Sequence, residues 1–97
     1  MKDLNRQVLS IVKKLEEDNA DFDIGEFFEG VLDVNWVLNS DRTFKSARLL
    51  VAFGGPNIWI DTGSQTVEGY WWSDEFSCRY EDEAGLFDYC EEWFACT

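Results

Sequence analysis

The sequence predicts an α+β fold in one domain, residues 1–97: an antiparallel sheet of four to five strands with an N-terminal helix, a short second helix and a C-terminal helix packed on one face. Three observations predict it. Apolar residues recur at helical spacing near the N-terminus, two β-rich runs face each other across a short polar turn, and a second helical stripe closes the chain.

Leu4, Val8, Ile11, Val12 and Leu15 form one stripe of a 3.6-residue period, which predicts a helix over residues 4–17. Asp3 suits its N-cap, Lys13 and Lys14 sit where the C-terminal dipole favours cations, and Asp18-Asn19 suits its stop. A shorter helix is expected within residues 20–31, where Asp23 and Glu26 fit a capping box, with Phe22 and Phe27 as its hydrophobic staple. Leu32 to Asn39 then alternates apolar and polar, the period of a strand with one buried face. After an Asn39-Ser40-Asp41-Arg42 turn, Phe44 to Phe53 reads as a longer strand whose continuously apolar end suggests a central position.

The stretch Phe53 to Trp72 organises the rest. Gly54-Gly55-Pro56-Asn57 forces a bend, because proline fixes φ and lacks a backbone donor. Ile58-Trp59-Ile60 and Val67 to Trp72 follow as facing strands, with Asp61 to Gln65 between them and Gly63 expected at positive φ. The adjacent Trp71 and Trp72 are expected on opposite faces of the sheet. Phe76, Cys78 and Tyr80 alternate as an edge strand. Asp82 then caps a last helix over residues 83–96, with Leu86, Cys90, Trp93 and Phe94 inward and Asp88, Glu91 and Glu92 outward.

Composition bounds the function. A chain of 97 residues buries somewhat over ~60% of its unfolded surface, enough for one core without staples. No apolar run reaches the roughly 18 residues of a membrane helix, and the N-terminus lacks a signal-peptide layout, so a soluble cytoplasmic protein is expected. Cys78, Cys90 and Cys96 are an odd number without an export signal, which favours reduced thiols. With no histidine and no zinc-like cysteine spacing, no metal or cofactor is expected.

Charge is the strongest compositional signal. Residues 49–97 hold ten acids and only Arg79, so −9 of the net −12 lies in the second half. Such a field repels nucleic acid and anionic membrane and attracts basic protein surfaces; solubility alone is the plainer explanation. One motif looks catalytic. Asp61-Thr62-Gly63-Ser64 matches the aspartic-protease signature, and a dimer sharing a proton between two Asp61 carboxylates is the enzyme alternative. Against it, only 36 residues follow Asp61, the last of them helical, and the four residues are equally good turn chemistry.

Residues 49–75, LLVAFGGPNIWIDTGSQTVEGYWWSDE, resemble small acidic proteins carried by bacteriophages and integrated elements, through the GGPNIWIDT and VEGYWW runs. The resemblance implies an inhibitor of host defence, anti-CRISPR or antirestriction, working in the bacterial cytoplasm by binding and not by turnover. Its partner would be a basic, nucleic-acid-binding surface on a host nuclease or CRISPR effector subunit, occupied in place of DNA. The contact residues expected from charge and aromatic exposure are Trp72, Asp74, Glu75, Glu81, Asp82, Glu83, Glu91 and Glu92.

Overall fold

The structure, a computed structural model, describes residues 2–16 and 24–96. They form α1 (Lys2–Glu16), α2 (Ile24–Glu29), β1 (Asp33–Leu38), β2 (Phe44–Ala52), β3 (Asn57–Asp61), β4 (Thr66–Trp71), β5 (Asp74–Arg79) and α3 (Leu86–Ala95). The five strands make one antiparallel meander in sequence order, so β1 and β5 are its edges. This is the α+β fold that the periodicities predict. The expected stop at Asp18-Asn19 and the capping box and staple at Phe22 and Asp23 lie outside the described residues.

Register sorts the side chains into two faces, since residues directly opposite one another share a face. Val34, Leu49, Ile60, Val67 and Cys78 lie across from one another in turn, as do Ile58, Gly69 and Phe76. This face is covered. Leu4, Val8, Val12 and Leu15 of α1 are buried against β4 and β5, and α3 lies over β2 with Leu86 and Cys90 buried. Trp36, Phe44, Phe87 and Phe94 tie α3 to β1 and β2 through ring centroids 5.4–6.1 Å apart. Phe28 of α2 stacks on Tyr89 and Trp93 of α3, both at 5.2 Å.

Four local expectations change. Asp3 falls inside the first turn of α1 instead of capping it, because the helix already begins at Lys2. The last helix begins at Leu86, three residues later than expected, with Gly85 as N-cap in the left-handed region. Asp82 nonetheless serves that helix: its two carboxylate oxygens accept from the Leu86 and Phe87 N–H groups at 2.7 and 3.0 Å. Trp72 does not continue β4. Trp71 pairs with Asp74, so Trp72-Ser73 is the two-residue turn of the β4–β5 hairpin, and Trp72 takes φ +58°.

The fourth change concerns the β3–β4 turn, where the positive φ belongs to Gln65 (54°) and not to Gly63. Gly63 is needed for room: a Cβ there would lie 3.0 Å from Cβ and Oγ of the buried Ser46. Asp61 acts as expected of a turn residue. Its Oδ1 accepts from the Gly63 and Ser64 N–H groups at 2.9 and 3.2 Å.

All three cysteines are free thiols: Cys90 buried, Cys78 half-buried beneath α1, Cys96 exposed. Burial pushes the Cys90 thiol up from 9.0 to about 12, with the nearby Asp82 charge adding to the effect. The folded chain therefore holds a proton that the unfolded chain releases above pH 9, and the stability that this contributes is present below pH 9 and lost as pH rises toward 12. Melting temperature should accordingly fall between pH 9 and 10.5 by more in the wild type than in Cys90→Ala. At pH 8 a chromogenic disulfide reagent should label Cys96 at once and Cys90 only in denaturant; prompt labelling of Cys90 would contradict its burial.

Candidate partner-binding surface

The covered face takes the apolar alternates, so the other alternates form a sheet face that no described helix covers. At its centre is Arg48, opposite Asn35 on β1 and Asp61 on β3, with Trp59 and Glu68 on neighbouring strands. The Arg48 guanidinium sits 5.0 Å over the Trp59 ring, 3.4 Å from the Glu68 carboxylate and 3.9 Å from that of Asp61. Tyr70 completes the row by donating its hydroxyl to Glu68 Oε1 at 2.8 Å, and that bond is the main reason its phenol titrates higher than usual. These groups are partly exposed, so each contact contributes about 0–1 kcal/mol; together they hold the Arg48 guanidinium over the Trp59 ring. Sequence reasoning missed this cluster, although the same alternation that places Ile58, Ile60 and Val67 inward places Trp59 and Glu68 outward.

The eight expected contact residues do not form one patch. Asp74 and Glu75 start β5 beside the exposed Trp72, with Glu75 opposite Tyr70. Glu81, Asp82 and Glu83 lie beyond the other end of that strand, about 20 Å away at ~3.3 Å per residue. Glu81 is tied to α1, its N–H donating to Glu16 Oε2 at 3.0 Å, and Asp82 is committed to the start of α3. Glu83, Glu91 and Glu92 are exposed, and residues 80–96 contain no Lys or Arg. Glu29 of α2 is exposed in the same helical layer.

Position within α3 makes two of these acids informative. Glu91 and Glu92 fall in the second half of a helix that ends at Ala95, where the dipole favours cations, and its last turn carries no base. Glu92, inside the last turn, works against the helix by ~0.3–1 kcal/mol, and Glu91, one residue before that turn, by less, so helix stability does not account for either.

Beside α3 an open groove runs between α2, α3 and β1, lined by Phe28, Val31, Leu32, Tyr89 and Trp93. Trp93, expected in the core, is 46% exposed, with its ring centroid 5.2 Å from that of Phe28. Among the described residues no group of three or more His, Cys, Asp or Glu is placed to hold a metal ion, and no helix is long and apolar enough to cross a membrane. Searches with protein-family models, among curated proteins and among solved structures found no match to this chain.

Proposed function

We propose that this chain is an acidic inhibitor that binds a basic, nucleic-acid-binding surface on a host defence complex, a restriction or CRISPR nuclease, and blocks it by occupancy in place of DNA. The observation that carries the reading is the run from Glu83 through α3, where Glu83 in the lead-in and Glu91 and Glu92 on the helix are exposed with no base in residues 80–96, the latter two toward the helix C-terminus, where the dipole favours cations. The resemblance of residues 49–75 to small mobile-element proteins supplies the biological setting. Nothing comparable favours the protease alternative: Asp61 is occupied by two turn amides and faces Arg48.

The test is reversal of Glu83, Glu91 and Glu92 together to Lys, measured as plating of a phage or retention of a plasmid in cells carrying restriction or CRISPR systems. The wild type should protect and the triple variant should not, while its melting temperature stays within a few degrees because lysines near a helix C-terminus suit the dipole. Asp82 is left out, since its loss would remove the α3 cap and confuse stability with binding. Protection by the reversed protein, or none by the wild type across the systems tried, would require the inhibitor reading to be dropped.

A further inference from the structure

Antiparallel topology brings three connections to the same end of the sheet: the lead-in to β1 at Leu32, the β2–β3 loop that begins at Phe53, and the β4–β5 turn at Trp72. These three residues are the most exposed large apolar side chains described, at 61%, 73% and 91%. The two loops stand two inter-strand spacings apart, about 10 Å, so Phe53 and Trp72 can engage one surface together.

Neither tip is a slack loop. Phe53 leads into Gly54 at φ +101°, whose N–H donates to Asn57 Oδ1 at 3.3 Å ahead of the fixed Pro56. Trp72 occupies a positive-φ position at which a bulky side chain is strained and glycine would be relaxed. Its ring, almost wholly in solvent, returns no packing for that strain. A bulky apolar residue held in this way gives the folded monomer nothing.

We propose that this end of the sheet is an anchor that seats Trp72 and Phe53 in an apolar pocket rimmed by Lys or Arg on a protein partner. Charge complementarity selects that occupant: the strands that start at this end, β1 and β5, open with Asp33 and with Asp74 and Glu75, and residues 30–33, 53–57 and 70–75 contain no base. The same acids disfavour an anionic membrane, and a second copy of this chain would bring like charge to like charge. The anchor rests on the binding reading above only for the existence of a protein partner, not for its identity as a defence complex.

The test places p-benzoylphenylalanine at position 72, at position 53 and, as a control, at the exposed Leu9 of α1, in bacteria carrying the defence systems used above. Positions 72 and 53 should each photo-cross-link the same protein, at a peptide that lies beside Lys or Arg in that protein, at least tenfold more than position 9 does. In a lysate of the same cells irradiated after mixing, added purified wild-type protein should compete the adduct away, and Trp72→Gly/Phe53→Ser should not. Trp72→Gly alone should melt at the wild-type temperature or a few degrees above it, as relief of a positive-φ side chain predicts.

Equal labelling from position 9, adducts beside acidic residues, adducts only with lipid, or no adducts would overturn the anchor. So would a drop of many degrees for Trp72→Gly, which would show that the ring packs. Vesicles of equimolar phosphatidylcholine and phosphatidylglycerol give the membrane arm, and flotation of the wild type with them would overturn it also. If reversal of Glu83, Glu91 and Glu92 abolishes protection but positions 72 and 53 label nothing, the inhibitor reading stands and the anchor falls. If no defence system is blocked yet both positions label one basic-rimmed protein, the anchor stands and the inhibitor reading falls.

Discussion

Replacing Gly69 with valine is expected to lower the melting temperature by about 8–16 °C, the equivalent of about 2 kcal/mol in a domain of this size. A Cβ at Gly69 would lie 2.7 Å from Leu4 Cδ1 and 2.7 Å from Val8 Cγ2, closer than packed carbons approach. The leucine tip can rotate away. Val8 cannot, because a β-branched residue within a helix has one strongly preferred χ1 rotamer. Relief must therefore come from lifting α1 off β4, and the same helix buries Leu4, Val12 and Leu15 against the sheet. Valine's better strand propensity offsets at most about 1 kcal/mol of this. Val8→Ala should give back part of the lost stability in the Gly69→Val background while destabilising the wild type, a coupling that a urea double-mutant cycle reads directly. A Gly69→Val protein as stable as the wild type would show that α1 does not seat on this glycine.

Gly69 also marks where sequence reasoning stops. Alternation in β4 assigns Val67, Gly69 and Trp71 to one face, but nothing local says that the glycine leaves a slot for a helix more than fifty residues earlier in the chain. The α1 stripe was legible because four buried residues repeat at helical spacing, and the five strands were legible because their alternation is set by one covered face. Turn conformations were less so. Gly63 invites a positive φ, yet it was kept small by Ser46 on a distant strand, while Gln65 and Trp72 carry the positive φ that propensity would refuse them. The candidate surfaces divide in the same way. Charge counts pointed to the acids, but only the sheet topology separates Asp74 and Glu75 from Glu81 and Glu83, and only the hydrogen bonds remove Asp82 from the free set. The exposed tips at Leu32, Phe53 and Trp72 are distant in sequence and share one end of the sheet because a meander returns every second connection to the same end.

Thr62→Val should cost about 2 kcal/mol, or about 8–16 °C in melting temperature, although it keeps the side chain's shape. Thr62 is 1% exposed. Its hydroxyl accepts from the Ala47 N–H at 2.8 Å and donates to the Ala47 carbonyl at 3.0 Å, while its own N–H donates to the same carbonyl at 2.9 Å. The last β2–β3 pair is Arg48 with Asp61, so this hydroxyl extends the ladder by one rung beyond the end of β3. Valine leaves the Ala47 carbonyl with its amide partner but strips the Ala47 N–H of its acceptor in a buried site, and an unmet buried donor costs about 1–3 kcal/mol. Thr62→Ser keeps the hydroxyl and should retain most of the stability. Asp61→Asn, which preserves an oxygen for the Gly63 and Ser64 amides, should be milder than Thr62→Val. That ranking separates the two meanings of Asp-Thr-Gly-Ser: as a turn, the motif depends on the threonine hydroxyl more than on the charge of the aspartate, whereas a catalytic carboxylate would make Asp61→Asn abolish activity. Pepstatin-sensitive cleavage of a peptide by the wild type, lost in Asp61→Asn, would reverse this assignment, and a Thr62→Val protein that melts with the wild type would show that the extra rung contributes nothing.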